Sequence, residues 1–402
     1  MTSSSPGRSG GAIRVPTAQH PISLTNPDAV VAALPYLLGF RPERSMVLLW
    51  ITEGRLTLTQ RVDLPAPGQS AQERGGFLDA LLQPGCHMQA DSLIACVVSE
   101  RAPASTAADQ STSPRAPGLA HVELIDALAH ALDEQGLHLL DALLIQQMPG
   151  AIQRWRSFLC EDDCCPEQGR QVPESIQVSV AAAFTLEGIA VAGSRADVAR
   201  SLESESGPVA EVTRFLAKRS VPTQHARLER WRTARLRRIR DVLGLPDPYS
   251  SASDSRAKDE SQEGPRTTNL NVRAIGDVLQ GVGDARVRDC LLWSLSRTND
   301  LHPIIVRMMQ CLRAAPDPWV PAMATCVAIA TWLTGDGARA TMALDRALAV
   351  SPNYSLARLL DLALRSGMPP QRWAAMMAGL TEAECRGGNA DEGGLPSAAV
   401  AL

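Results

Sequence analysis

The stretch Ser45-Met46-Val47-Leu48-Leu49-Trp50-Ile51-Thr52-Glu53-Gly54-Arg55-Leu56-Thr57-Leu58-Thr59-Gln60-Arg61-Val62-Asp63-Leu64 decides how the chain begins to fold. Its first eight residues are an almost unbroken apolar run, and Glu53-Gly54 is a two-residue turn signal whose glycine tolerates positive φ. Leu56, Leu58, Gln60 and Val62 then alternate with a second set of positions. A continuous run, a tight turn and a period of two predict a β-hairpin, with the second strand burying only one face.

Residues 28–36, after Asn26-Pro27, read as a short helix, and Gly39-Phe40-Arg41-Pro42 turns the chain into the hairpin. Beyond the hairpin, 70–83 reads as helix, 91–99 as a buried strand, 121–135 as an amphipathic helix and 139–147 as another buried strand. Strand, helix, strand in that order calls for a right-handed crossover and parallel pairing. The expectation is an α/β domain over 21–173, a mixed sheet with flanking helices.

From 174 to 386 the pattern is helical, which predicts an all-α domain with helices over 175–187, 195–203, 209–217, 223–243, 271–280, 285–298 and 301–314. Near its end Ala340, Leu344, Ala347 and Pro352 fall at the spacings of the second helix of a tetratricopeptide (TPR) repeat, with 321–333 as the first. One such hairpin needs neighbours to bury its face, here the helices expected over 354–365 and 370–378. Residues 1–20, 100–120, 246–268 and 387–402 lack periodicity and read as disordered tails and flexible insertions.

With 402 residues, 45% of them hydrophobic, the chain can build real cores. A net charge of -4 speaks against recognition of nucleic acid by the overall field. No apolar run approaches the roughly 20 residues that span a bilayer, so the expectation is a cytoplasmic chain without membrane association. Nine scattered cysteines do not suit a secreted disulfide framework.

Three constellations stand out. Cys160, Cys164 and Cys165 lie within six positions and suit a zinc site, a reversible disulfide, or thiols packed as small apolar groups. Packing is favoured, because Glu161, Asp162 and Asp163 disfavour a thiolate and the local ligands number only three; Cys86, His87 or His138 would have to supply a fourth. Arg41, Ser45, Arg61 and Asp63 sit at hairpin strand ends and suit an anionic ligand or an ion pair that fixes a turn, with Trp155 expected beside them. The helix 227–240 places Leu228, Trp231, Leu236, Ile239, Val242 and Leu243 on one face and Arg227, Arg230, Arg237, Arg238 and Arg240 on the other. That basic face suits solvent, an acidic protein partner or, less well, nucleic acid. Arg232 and Arg235 intrude on the apolar face and are expected to pair with acidic residues of a neighbouring helix.

The phosphate-loop, dinucleotide-binding, nucleophile-elbow and zinc-protease signatures are absent from the sequence. The leading expectation is therefore a non-catalytic binding or adaptor protein that meets another protein through its helical domain. The alternatives are an enzyme of unrecognised type and a thiol or zinc sensor.

Residues 34–45 (Leu-Pro-Tyr-Leu-Leu-Gly-Phe-Arg-Pro-Glu-Arg-Ser), Arg61-Val62-Asp63-Leu64-Pro65, the segment 155–166, Gly335-Asp336-Gly337-Ala338 and Ala343-Leu344-Asp345-Arg346-Ala347-Leu348 resemble the actinobacterial domain-of-unknown-function 4192 family. The resemblance runs over about 22–384. It implies an actinobacterial cytoplasmic protein with a mixed N-terminal domain and a helical C-terminal domain, and it carries over no functional residue.

Overall fold

The computed structural model describes residues 13–15, 22–65, 71–99, 119–147, 153–160, 165–166, 168–187, 189, 191–246 and 269–387. They fall into two compact units, one within Met1–Arg195 with Ser366–Pro369, the other within Ala196–Arg365 and Pro370–Leu402. The expected insertions 100–120 and 246–268 and the tail 387–402 lie almost wholly outside the described residues.

The first unit is built on one eight-stranded mixed sheet: β1 (Ile13–Val15), β2 (Ile22–Leu24), β3 (Ser45–Thr52), β4 (Arg55–Asp63), β5 (Ser92–Ser99), β6 (His138–Gln147), β7 (Gln153–Ser157) and β8 (Arg170–Gln171), in the order β2-β1-β4-β3-β5-β6-β7-β8. The hairpin forms as its sequence predicts, with β3 and β4 antiparallel and Thr52 opposite Arg55. Glu53 and Gly54 both have positive φ, 52° and 73°, the type I′ geometry whose twist matches that of the flanking strands. Glu53 lacks glycine's freedom there, and the Asp91 carboxylate accepts its backbone N–H at 2.6 Å.

The predicted crossover is also present: β5 and β6 pair in parallel, joined through an α-helix, Val122–Glu134. Ile13–Val15, inside the segment read as a tail, is instead a strand that pairs with β2 and β4. Its run of three residues is too short for periodicity to register.

Both faces of the central strands are buried. On one, Met46, Leu48, Trp50, Leu93, Ala95, Val97, Ala142 and Leu144 pack against the helices Ala71–His87 and Val122–Glu134. The opposite face carries Val47, Leu49, Ile94, Cys96 and Val98. The helix Pro27–Leu38, capped by Asn26 and led by proline at its first position, contacts β2, β4 and the helix Glu174–Leu186, where Tyr36 stacks on Phe184.

The helix Ala71–His87 outruns its expected end at 83, continuing through Pro84, and Gly85 lets its backbone ride against the Trp50 ring. A Cβ at Gly85 would overlap that ring, which is fully buried and donates from Nε1 to Gln60 Oε1 at 2.9 Å. Gly85→Ala is therefore expected to destabilise the sheet unit by roughly 1–3 kcal/mol, despite alanine's better helix propensity. The check is the urea midpoint followed by Trp fluorescence; a raised midpoint would refute this packing.

The second unit is helical: α1 (Ser206–Leu216), α2 (His225–Leu243), α3 (Val272–Val282), α4 (Ala285–Leu295), α5 (His302–Arg313), α6 (Val320–Leu333), α7 (Gly337–Val350), α8 (Ser355–Arg365), α9 (Pro370–Ala378) and α10 (Glu382–Cys385), after the short helix Arg195–Ser201. Helix α6 is apolar all round and buried along nearly its whole length, as a core helix must be. It packs along α7, which is N-capped by Asp336, whose side chain accepts the Arg339 N–H at 2.9 Å. No helix among the described residues is long and apolar enough to cross a membrane.

Candidate functional site

The sheet unit holds the first set of expected site residues. Ser45 opens β3 opposite Asp63, and Val47 lies opposite Arg61, so Ser45, Arg61 and Asp63 share a sheet face. Arg61 pairs with Asp63 at 2.6 Å and reaches the Glu43 carbonyl at 3.4 Å, while Asp63 itself is 81% exposed. The Ser45 hydroxyl is buried without a hydrogen-bond partner among the described residues, and Arg41 is exposed.

Trp155 lies elsewhere. It is on β7, separated from β4 by β3, β5 and β6, so four strand spacings, roughly 19 Å, intervene. The single polar patch expected from Arg61, Asp63 and Trp155 together does not form. Trp155 is buried, donates to Asp28 at 2.6 Å and packs beneath the Arg170 guanidinium. These contacts tie β7 to the start of the helix Pro27–Leu38 and to β8.

Of the clustered thiols, Cys165 is buried and Cys160 half-buried, and Cys164 lies outside the described residues with Glu161, Asp162 and Asp163. Among the described residues, no group of three or more His, Cys, Asp or Glu is disposed to hold a metal ion. Cys86, one candidate fourth ligand, directs its sulfur at Gln135 Oε1, 2.7 Å away. In the helical unit, burial pushes the thiols of Cys290, Cys311 and Cys326 up to about 12, which makes each a poor nucleophile at neutral pH.

A cluster of like charge lies in the helical unit. Trp231, Arg235 and Arg238 recur at i, i+4 and i+7 on α2 and so share one face, turned towards α3; Arg238, expected on the outer basic face opposite Trp231, lies beside it instead, because seven residues make almost two whole turns. On α3, Arg273 and Asp277 are one turn apart. Gly276 lets the Phe215 ring of α1 lie against the α3 backbone, where a Cβ would overlap it, and the Arg219 guanidinium stacks 4.4 Å from that ring. Three segments thus bring Arg219, Trp231, Ala234, Arg235, Arg238, Arg273 and Asp277 around one open cleft of about 480 Å³.

Asp277 is the buried centre of the cleft. Arg235 pairs with it closely and uses a second nitrogen on Gln280 Oε1 at 2.9 Å. Arg238 and Arg219 approach at 3.3 and 3.4 Å, near the outer limit of a hydrogen bond. Arg273 has no carboxylate partner among the described residues. The lining therefore sets four guanidinium groups against one carboxylate.

Around Arg232 on α2 the charges balance. Arg232 is held by Asp284, at 2.9 Å, and by Glu229, which also faces Arg286 at 3.6 Å. Asp284 doubles as the N-cap of α4. The pairing expected for Arg232 and Arg235 is therefore present. Arg240, expected on the outer basic face, is instead buried: it donates to Glu382 at 2.9 Å and to Ser294 at 3.2 Å, which offsets its desolvation. Arg227, Arg230 and Arg237 are exposed.

Reading the sequence singles out Arg235 and Arg238 but not the cleft, because Arg219, Arg273 and Asp277 come from other segments. The available signal is Asp277 itself, a lone carboxylate among Ala274, Ile275, Val278, Leu279 and Val282. A carboxylate at a core position implies a cationic partner.

A family model described as a domain of unknown function, DUF4192, matches residues 27–371. No curated protein and no solved structure matches the chain.

Proposed function

The chain belongs to the DUF4192 family, and from that premise we propose that it is a non-catalytic binding or adaptor protein whose arginine cleft takes an acidic segment of a partner protein. The observation that carries this reading is the charge excess of the cleft, beside the balanced ion pairs around Arg232 on the same helix. Guanidinium groups stay protonated at any physiological pH, so the lining offers donors and positive charge. Its one carboxylate is already engaged by Arg235. Such a set binds anions and does not shuttle protons.

The charge converges on one cleft instead of running as a stripe, which fits a compact acidic group better than the evenly spaced phosphates of a duplex. In this reading α6 and α7 form the TPR-like hairpin whose repeat spacings the sequence carries, and they support the presenting surface; the working compartment is the cytoplasm.

The test is fluorescence polarisation with a labelled oligoglutamate peptide. Binding is expected at low salt and should weaken as salt rises, since exposed charges are screened beyond a Debye length of about 8 Å at physiological ionic strength. Arg238→Glu should weaken it about tenfold or more. Absence of binding at low salt, or binding indifferent to Arg238→Glu, would refute the reading.

A further inference from the structure

We propose that the group seated in the arginine cleft is a phosphoryl dianion, an inference that rests on the binding reading above and deepens it. The cleft already contains a carboxylate, and that carboxylate engages only a few of the guanidinium donors that line it. Arg235 is committed to Asp277 and Gln280. Arg238 touches Asp277 through Nε alone, at 3.3 Å, and Arg219 through Nη1 alone, at 3.4 Å. A guanidinium carries five N–H donors in a planar fork, so each keeps several in reserve. Arg273 adds a further fork with no carboxylate partner among the described residues.

The incoming group must therefore accept from several forks at once and offset an excess of three positive charges, four guanidinium groups against Asp277. A second carboxylate brings one negative charge and two oxygens. A phosphate monoester brings roughly 1.5 to 2 negative charges and three acceptor oxygens, and arginine forks match its geometry. The half-buried Trp231 ring, 5.3 Å from the Arg235 guanidinium carbon, gives the cleft an apolar wall for the stem that bears the phosphate. That stem is either a phosphorylated side chain of the partner or a free phosphate ester.

The experiment uses the full chain and three labelled Gly/Ser peptides that are identical except for a central serine, glutamate or phosphoserine. Phosphoserine is expected to bind roughly tenfold or more tighter than serine and several-fold tighter than glutamate. Arg273→Glu should abolish the preference. Arg273 is exposed and outside the ion pairs described, so this variant should fold; Arg273→Lys keeps the charge but loses the fork, and should retain only part of the preference.

Inorganic phosphate is then added as competitor. Displacement only at concentrations far above the peptide's Kd supports a phosphorylated protein segment, and displacement at comparable concentrations supports a free phosphate ester. Equal affinity for phosphoserine and glutamate, both lost in Arg273→Glu, would overturn the phosphoryl assignment and leave the acidic-segment reading standing. A phosphoserine preference that survives Arg273→Glu would overturn the site. Failure of both acidic peptides to bind would overturn both proposals. Displacement by duplex DNA more effective than by the phosphoserine peptide would replace this ligand with nucleic acid.

Discussion

Asp277→Asn should lower the stability of the helical unit by roughly 2–4 kcal/mol while strengthening its hold on an acidic peptide. Removing one partner of a buried ion pair costs about 3–5 kcal/mol, because the remaining charge is left desolvated. Arg235, whose side chain is 12% exposed, bears that cost; Arg219 and Arg238 are wetter, which moderates it. The substitution also removes the cleft's internal competitor for incoming anions, so stability and affinity should move in opposite directions. Urea unfolding and oligoglutamate polarisation on the same variant measure both. A variant whose affinity falls together with its stability would contradict the role assigned to Asp277.

Glu382→Gln is expected to have the largest effect on stability, roughly 3–5 kcal/mol at neutral pH. Its side chain is 1% exposed and holds Arg240 at 2.9 Å and Arg386 at 2.6 Å. Burial alone would raise the Glu382 pKa. The hydrogen bonds and charges of Arg240 and Arg386 outweigh burial and hold it below its ordinary value of 4.5. A depressed folded pKa stabilises fully above the unfolded value, and the gain disappears as pH falls through the folded one. The gap between wild type and Glu382→Gln should therefore be widest near neutrality and narrow as pH drops below about 4.5. A gap that stayed constant across that range would show that the lost stability is not electrostatic.

Much of the sheet unit is legible in the sequence because its signals are local. Glu53-Gly54 specifies a turn, the apolar runs at β3 and β5 specify strands buried on both faces, and the helix between β5 and β6 demands parallel pairing. Strands β1 and β8, three and two residues long, are set by their neighbours and leave no periodic trace. The placement of Trp155 relative to Arg61 and Asp63 depends on strand order, which no local pattern encodes.

The cleft was half legible for a related reason. The intrusion of Arg232 and Arg235 on an apolar face implies acidic partners across a helix interface, whereas Arg238, read with the outer arginines, shares the flank of Trp231 and Arg235. It does not say which carboxylate faces which arginine. Arg240 shows the limit most plainly: its helical angle places it with exposed arginines, yet a carboxylate 142 residues away draws it into the core. Charge balance, which separates the cleft from the paired arginines around Arg232, is a property of the assembled helices.

The central claim is that the arginine cleft of the helical unit is the recognition surface. It is tested most directly by photo-crosslinking an oligoglutamate peptide bearing a benzophenone group to the full chain and mapping the adducts by mass spectrometry. The account predicts adducts concentrated in 231–238 and 273–277, suppressed by excess unlabelled peptide and lost in Arg273→Glu. Competable adducts confined to the sheet unit would contradict it.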